Sequence, residues 1–341
     1  MPTPIGISGS RAAAVLNLSP YQSQVDVWLD IMGPAFAEER GYEWKPFEGN
    51  ASTRWGSAFE SAIAELTEMN LGVAITDRER LFERDHAGAM LTCHVDGIIN
   101  GDTLYEAKTT TAYGFADAWG EPGSDRIPRM YQVQVQHNMM LTGLEKAVVS
   151  VLVFPRRVEE WEEMGYNVKS VYSYMDDAEE WYIVLDEKFQ EWIQPKQWAR
   201  ALNQMGYFHQ YFINANHELQ SLMLEHYADF WNRYVIGRTE PPVRDYDDIK
   251  KLCRAPKGTI IADEFIERQL SEYDQITAEI NEMTRRKDQI KTIAVEYMRE
   301  QASSDGVVID DDSAEKFILR SRDGKKLASY GKDKQGRLIF R

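Results

Sequence analysis

Three side chains in one short stretch have the types and spacing for hydrolytic chemistry around a divalent cation: Asp96, Glu106 and Lys108. They sit in His94-Val-Asp-Gly-Ile and Tyr105-Glu-Ala-Lys, on either side of Asn100-Gly101. Asn-Gly between two apolar runs is a strong hairpin signal. Side chains alternate along a strand, so Glu106 and Lys108 leave on one side and Ala107 on the other. A lone Glu-x-Lys is most often a solvated surface pair. Whether Asp96 joins that face depends on the register. A two-residue loop at Asn100-Gly101 pairs Ile99 with Asp102 and sends the carboxylates to opposite faces. A three-residue loop, Ile99-Asn100-Gly101 with Gly101 left-handed, pairs Ile98 with Asp102 and puts Asp96, Leu104 and Glu106 together. That register, or an equivalent bulge, is the one expected. Two carboxylates with the Ala107 carbonyl form a hard oxygen cradle for Mg2+, with Mn2+ as a substitute. Such an ion makes a bound water more acidic and stabilises charge on a phosphate, while Lys108 orients the water and helps deprotonate it. A phosphodiesterase needs these parts.

The elements that must hold this hairpin follow from periodicity and breakers. Residues 10–16 read as a short helix with Ser10 as N-cap, followed by a turn at Ser19-Pro20 and a helix over 25–32. A loop rich in Pro, Gly and Glu runs to Asn50. Residues 53–71 form a strong helix, with Phe59, Ile63, Leu66 and Met69 at helical spacing and Gly72 to end it. Asp85-His86 reads as a turn, and strands are expected over 88–99 and 103–109. His94 alternates with Asp96 and is expected to be a buried, hydrogen-bonded histidine. Pro128 opens a helix that runs to Thr142 before Gly143, and 146–154 is an apolar, β-branched strand. This order is α+β rather than a regular β-α-β alternation. Further on, 156–191 is acidic, with strands at Tyr172-Ser-Tyr and Trp181-Tyr-Ile-Val-Leu, and 195–234 is largely helical. Glu240-Pro-Pro divides a first domain, 1–242, from a second, 243–341. In the second, 263–301 is a long helix striped by Leu270, Tyr273, Ile276, Ile280, Met283, Ile290, Ile293 and Tyr297, a coiled-coil-like arm. Short basic strands finish the chain over 306–341.

Composition bounds the possibilities. With 341 residues, 43% apolar, and 9 Trp, 17 Tyr and 13 Phe, the chain can bury a large core instead of remaining disordered. No stretch approaches the roughly 18 apolar residues of a membrane span, and Met1-Pro-Thr-Pro-Ile lacks a signal-peptide pattern. Cys93 and Cys253 alone point to a reducing compartment and are too few for a structural zinc site. A cytoplasmic protein without membrane contact is expected. The net charge of −16 argues against a nucleic-acid partner, but it is uneven: residues 316–341 carry +7, leaving −23 on the rest. That basic end suits a DNA-contacting arm or an inert basic hairpin equally.

Asp-x9-Glu-x-Lys on a hairpin resembles the PD-(D/E)XK nuclease core, a mixed central sheet flanked by helices. The surroundings narrow the resemblance. Gly6-Ile-Ser-Gly-Ser-Arg-Ala-Ala-Ala-Val-Leu-Asn-Leu-Ser-Pro-Tyr21, Trp55-Gly-Ser-Ala-Phe-Glu60 and Ile127-Pro-Arg-Met-Tyr-Gln-Val-Gln-Val-Gln-His137 resemble motifs of the YqaJ-type viral recombinases, a lambda-exonuclease-like family. The likeness covers about 5–155, and weakly Phe230 to Pro242, with 156–220 as an insertion or extension. It implies that Asp96, Glu106 and the Ala107 carbonyl hold the metal and that Lys108 is the catalytic lysine. Glu60 is implied as a helix acid facing the metal directly or through water. Tyr131 and Gln134 are implied to buttress the scissile phosphate, and Ser10 to bind a DNA 5′-phosphate. Arg11 or another base replaces a family arginine, near whose position Thr3 and Pro4 stand. Taken singly, Glu60 reads as a helix acid, Tyr131 as core, Gln134 as a surface polar residue and Ser10 as a cap.

The function implied is a Mg2+-dependent exonuclease acting 5′→3′ on double-stranded DNA ends. It would leave 3′ single strands for a partner annealing protein. A homo-oligomer is implied, since some members are rings, in a bacterial cytoplasm if a phage encodes the chain. The alternatives are an endonuclease or single-strand-specific nuclease on the same core, and a catalytically silent DNA-end-binding protein.

Overall fold

The structure, a computed structural model, describes residues 6–47, 49, 51–154, 168–170, 184–185, 195–252, 259–302, 316–322, 326–332 and 338–340. Its contacts divide the chain into two units, Met1–Ala255 and Pro256–Arg341. The first opens with β1 (Ile7–Ser8), which runs directly into α1 (Gly9–Val15). Ser8, not Ser10, therefore precedes the helix. Ser10 lies in its first turn, where its hydroxyl meets that of Ser8 at 3.1 Å, and Ser8 makes no side-chain cap. α2 (Gln24–Arg40) starts at a capping box between Ser23 and Asp26. It outruns Met32 because Gly33 takes φ 79°, ψ 174° and Pro34 then restarts the helix, where its missing N–H leaves nothing unpaired. α3 (Ala51–Leu71) ends at Gly72, with φ 66°.

The strands follow: β2 (Ile75–Thr76), β3 (Arg80–His86), β4 (Ala89–Val95), β5 (Gly97–Ile99) and β6 (Thr103–Thr111). Asp85 and His86 are not a turn. They end β3, and the chain reverses at Ala87 and Gly88, both at positive φ. β3 is mostly charged and has no period-2 pattern, yet it pairs with the whole of β4. In the next hairpin Ile99 pairs with Thr103 and Ile98 with Leu104. The expected parity holds, even residues facing even, but the three-residue loop is Asn100-Gly101-Asp102. Asn100 and Gly101 both take left-handed φ, and Asp102 N–H bonds to the Ile99 carbonyl before the ladder begins.

α4 (Ala112–Ala118) and α5 (Arg129–Thr142) carry the chain over to β7 (Lys146–Phe154), which runs parallel to β6. β8 (Val168–Ser170) pairs with β9 (Val184–Leu185). The strand expected at Tyr172-Ser-Tyr, and Trp181 to Ile183 of the next, lie outside the described residues. The stretch expected to be largely helical contains a strand. α6 (Pro195–Gln204) stops near Gly206, and β10 (Phe208–Asn214) then pairs along β7 with Phe208, Tyr211 and Ile213 inward. α7 (His217–Phe230) continues as a π turn, Trp231–Ile236, and α8 (Tyr246–Leu252) follows. Asp248 on α8 is buried and accepts from Ser23 Oγ at 2.6 Å and from the Arg244 N–H at 2.8 Å. These bonds keep the segment after Pro241-Pro242 in the first unit.

The result is an α+β fold with a five-stranded mixed sheet, β10-β7-β6-β5-β2, and a three-stranded sheet, β1-β4-β3. Phe59, Ile63 and Leu66 of α3 cover one face against Leu152, while Val135 and Met139 of α5 pack on Leu104, Val149 and Val151 of the other. The second unit holds the long α9 (Glu264–Ala302) and an antiparallel sheet of β11 (Lys316–Arg320), β12 (Lys326–Lys332) and β13 (Leu338–Phe340). Lys325, Lys334, Arg337 and Arg341 of the basic end lie outside the described residues, as does Cys253. Among the described residues, no helix is long and apolar enough to cross a membrane.

One buried histidine locks α5 in place. His137 Nε2 donates to the Thr92 carbonyl of β4 at 3.0 Å, and Nδ1 accepts from the Tyr227 hydroxyl of α7 at 3.3 Å. Both nitrogens are satisfied in the neutral ring, and burial pushes the imidazole pKa down to about 4. A histidine whose folded pKa is depressed costs stability as pH falls from the unfolded value, near 6.5, towards the folded one. Between pH 7 and 5 this group should remove about 2 kcal/mol of unfolding free energy. Urea titrations of the wild type and His137→Gln at both pH values check it. The variant is weaker at pH 7 but loses less on acidification; equal losses would refute the assignment.

Candidate active site

Glu106 is the most tightly held group of the hairpin. It projects from β6 towards α5 and is 1% exposed. Its Oε1 accepts from Lys108 Nζ and from Gln134 Nε2, each at 2.6 Å, and its Oε2 accepts from Asn138 Nδ2 at 3.1 Å. Burying an ionised carboxylate is costly unless charge and hydrogen bonds compensate, and here both do. Gln134 and Asn138 lie four apart on α5, so both reach the same acid. Tyr131, three residues before Gln134, sets its ring 5.2 Å from the Lys108 ammonium, which is only 14% exposed.

Asn138 escaped the sequence reading. Its place one turn beyond Gln134 was the sole hint, since the burial of Gln136, His137 and Asn138 shows only in the fold. Its Oδ1 has no hydrogen-bond partner and faces Gly9, where an added Cβ would come within 2.4 Å of it. Gly9 therefore lets α1 approach α5 closely without dislodging the amide from Glu106.

Asp96 sits between β4 and β5, where the chain leaves the three-stranded sheet for the five-stranded one. The ladder places it opposite Glu106, one residue beyond the Gly97–Tyr105 pair, and its Oδ2 accepts the Ala107 N–H at 2.7 Å. Gly97 has to follow, because a Cβ there would lie 2.3 Å from Ile75 on β2. Burial, and then the Glu106 charge, push the Asp96 carboxyl up to about 8, with Lys108 and the Ala107 N–H opposing. Glu60, half-buried on α3, is also raised, first by burial and then by the charges of Glu79 and Glu106. For Lys108, burial alone would lower the pKa, but Glu106 and Asp96 outweigh it and keep the ammonium charged.

Glu60, Asp96 and Glu106 thus share a region with one lysine, leaving more acids than bases, and the raised pKa values of Asp96 and Glu60 record that crowding. Hard oxygens with excess anionic charge are the donor set that suits Mg2+ or Mn2+. Among the described residues, no three His, Cys, Asp or Glu side chains close a cage by themselves. A carbonyl and retained waters would have to complete the shell, as is common for Mg2+. His94 corrects an expectation: it is exposed, its Nδ1 3.4 Å from the Glu79 carbonyl, because the strand turns that face outwards. Burial, followed by Glu106, pushes the Cys93 thiol up to about 12, which leaves it un-ionised and inert.

Ser10 and Arg11 line a separate cleft of about 390 Å³ with Ser8, Gln22, Asp30, Trp44, Pro46 and Phe47. Arg11, the one basic residue of that lining, pairs with Asp30 at 3.2 Å and donates to the Gly6 carbonyl at 3.2 Å.

A mixed sheet flanked by helices, with acids and a lysine on its hairpin, has the layout expected from the resemblance to PD-(D/E)XK cores. Residues 4–145 match the family model of the YqaJ-like viral recombinase domain. The protein YqaJ of Bacillus subtilis (strain 168) is 30% identical over 151 residues, 43% of this chain and 43% of the relative. The match thus spans under half the length of that curated relative. Among solved structures, the alkaline exonuclease LHK-Exo of Laribacter hongkongensis is 13% identical, with a TM-score of 0.41 over 69% of this chain and 90% of its own. A phage-related exonuclease from Haemophilus somnus 129PT is also 13% identical, with a TM-score of 0.38 over 69% and 96%.

The crowding of carboxylates can be tested without any substrate. Asp96→Asn keeps an acceptor for the Ala107 N–H and removes the cost of burying, and so protonating, this acid beside Glu106. In EDTA at pH 7 the variant should gain roughly 1–3 kcal/mol of unfolding free energy. Guanidinium titrations measure it, and a loss of stability would show that no such cost exists.

Proposed function

We propose that the protein is a Mg2+-dependent DNA exonuclease that degrades one strand 5′→3′ from double-stranded ends. The 3′ single strand left behind suits a partner annealing protein, in the cytoplasm of a bacterial host. The observation that carries this reading is Glu106, buried and oriented by Lys108, Gln134 and Asn138, with Asp96 opposite. Asp96, Glu106 and the Ala107 carbonyl would hold Mg2+ or Mn2+, with Glu60 directly or through water. When bound, the ion supplies charge neutralisation at the phosphate and a more acidic water.

The chain's own residues do the rest. Lys108, held charged, is a donor only, so it orients a water lone pair and counters charge building on the phosphate. Gln134 and Asn138 fix the rotamer of Glu106, and Tyr131 keeps the lysine stem from swinging away. Polar groups supporting a metal-bearing acid typically affect activity by about 10–100-fold.

The pairing of Arg11 with Asp30 favours a second reading, an endonuclease on the same core. Among the described residues, the cleft over Ser10 then lacks an uncommitted cation for a terminal phosphate. A duplex labelled at one 5′ end, with and without 5′-phosphate, separates the two when compared with closed circular DNA. Exonuclease action predicts Mg2+-dependent release of labelled mononucleotide, faster with the phosphate, and intact circles. Rapid nicking of circles favours the endonuclease.

Glu106→Gln and Lys108→Ala should each lower cleavage by at least about 1,000-fold with DNA binding retained, and Asn138→Ala by about 10–100-fold. Unchanged cleavage in either of the first two would overturn the site and leave a catalytically silent end-binding protein.

A further inference from the structure

α9 is 39 residues long, about 58 Å at helical rise. Its apolar stripe is bare: Tyr273 is 66% exposed and Met283 73%, and only the last turn, at Met298, is buried. Helices of this kind draw most of their stability from packing an apolar face. Most of the stripe follows a heptad, with Ile266, Tyr273 and Ile280 at a positions and Ile276, Met283 and Ile290 at d positions; Gln269 takes the first d, and Leu270 and Ile293 flank the seam. The next a position is Lys287. The flanking g positions include Glu279 and Arg286. Among the described residues, Glu279 meets only the Gln275 amide of its own helix, at 3.2 Å, and Arg286 only Gln289, at 3.5 Å. Both charges are therefore open to a partner.

These charges select the occupant. In a parallel pair of identical helices Lys287 meets its own copy in the seam, and Arg286 faces Lys291 of the other helix. Both contacts are repulsive. In an antiparallel pair with Ile280 against the other copy's Met283, Lys287 lies over Ile276. The two lysines then stand eleven residues apart, about 16 Å along the axis and beyond the screening length. The same register sets Glu279 against Arg286 of the other copy, twice by symmetry. Sliding one heptad either way brings Glu279 onto Glu279, or Arg286 onto Arg286. Some ten half-exposed apolar side chains, each offering on the order of 100 Å², approach the ~800 Å² per partner of a stable interface.

We propose that α9 pairs with the α9 of a second copy of this chain as an antiparallel coiled coil, with Ile280 opposite Met283 and Glu279 opposite Arg286.

The test is the mass of the full-length protein by sedimentation across concentration, with far-UV circular dichroism to confirm that helix content is kept. The wild type should dimerise, and Ile280→Glu should abolish dimerisation. Glu279→Arg and Arg286→Glu should each raise the dimer Kd about tenfold or more, since each creates two like-charge pairs. The double variant restores both pairs with their signs exchanged and should return to within about threefold of wild type. A chain that stays monomeric to about 100 µM overturns the proposal, far short of the affinity such an interface supports. So does a dimer indifferent to these charges. A dimer tightened by Arg286→Glu would be parallel, which also overturns it.

Discussion

The first unit is organised around one buried carboxylate and the partners that offset its burial. Glu106 is nearly inaccessible, and an unpaired charge at that depth would cost several kcal/mol. Its neighbours are arranged to prevent that loss. β6 brings Lys108 two residues along on the same face, and α5 delivers two amides four residues apart. His137 then bolts α5 to β4 and α7, so the amides cannot drift. The covalent chain contributes only Lys108 locally; every other contact is made by folding. A site built this way is rigid because its charge leaves no cheaper arrangement.

Much of this was legible in the amino-acid sequence where a short-range rule decides the outcome. The Asn100-Gly101 turn, the Pro128-to-Gly143 helix and the apolar strand at β7 follow from local chemistry, and the structure has them. The parity that unites Asp96 with Glu106 was readable as well, although the loop slipped by one residue. Two left-handed positions at Asn100 and Gly101 use up the turn, and Asp102 becomes the extra residue. That choice depends on backbone geometry that residue types bias but do not dictate.

What could not be read is what tertiary partners decide. β3 carries Arg-Leu-Phe-Glu-Arg-Asp-His, poor strand material by composition, and exists because β4 presents it a full ladder. β10 hides among aromatic helical residues and is a strand because β7 has a free edge. Asn138 looks like any polar helix residue until Glu106 is placed beneath it. Gly9, far from Asn138 in sequence, matters only because α1 lies against that amide. Ser10 lost its capping role for a similar reason, since β1 runs into the helix without a break.

Asp96 stands where the chain crosses from one sheet into the other, held opposite Glu106 by the end of the β5–β6 ladder and by the Ala107 N–H. The two acids thus share one ladder end while their chains belong to different sheets beyond it, so anything that shifts β4 against β6 shifts the spacing of the carboxyl groups as well.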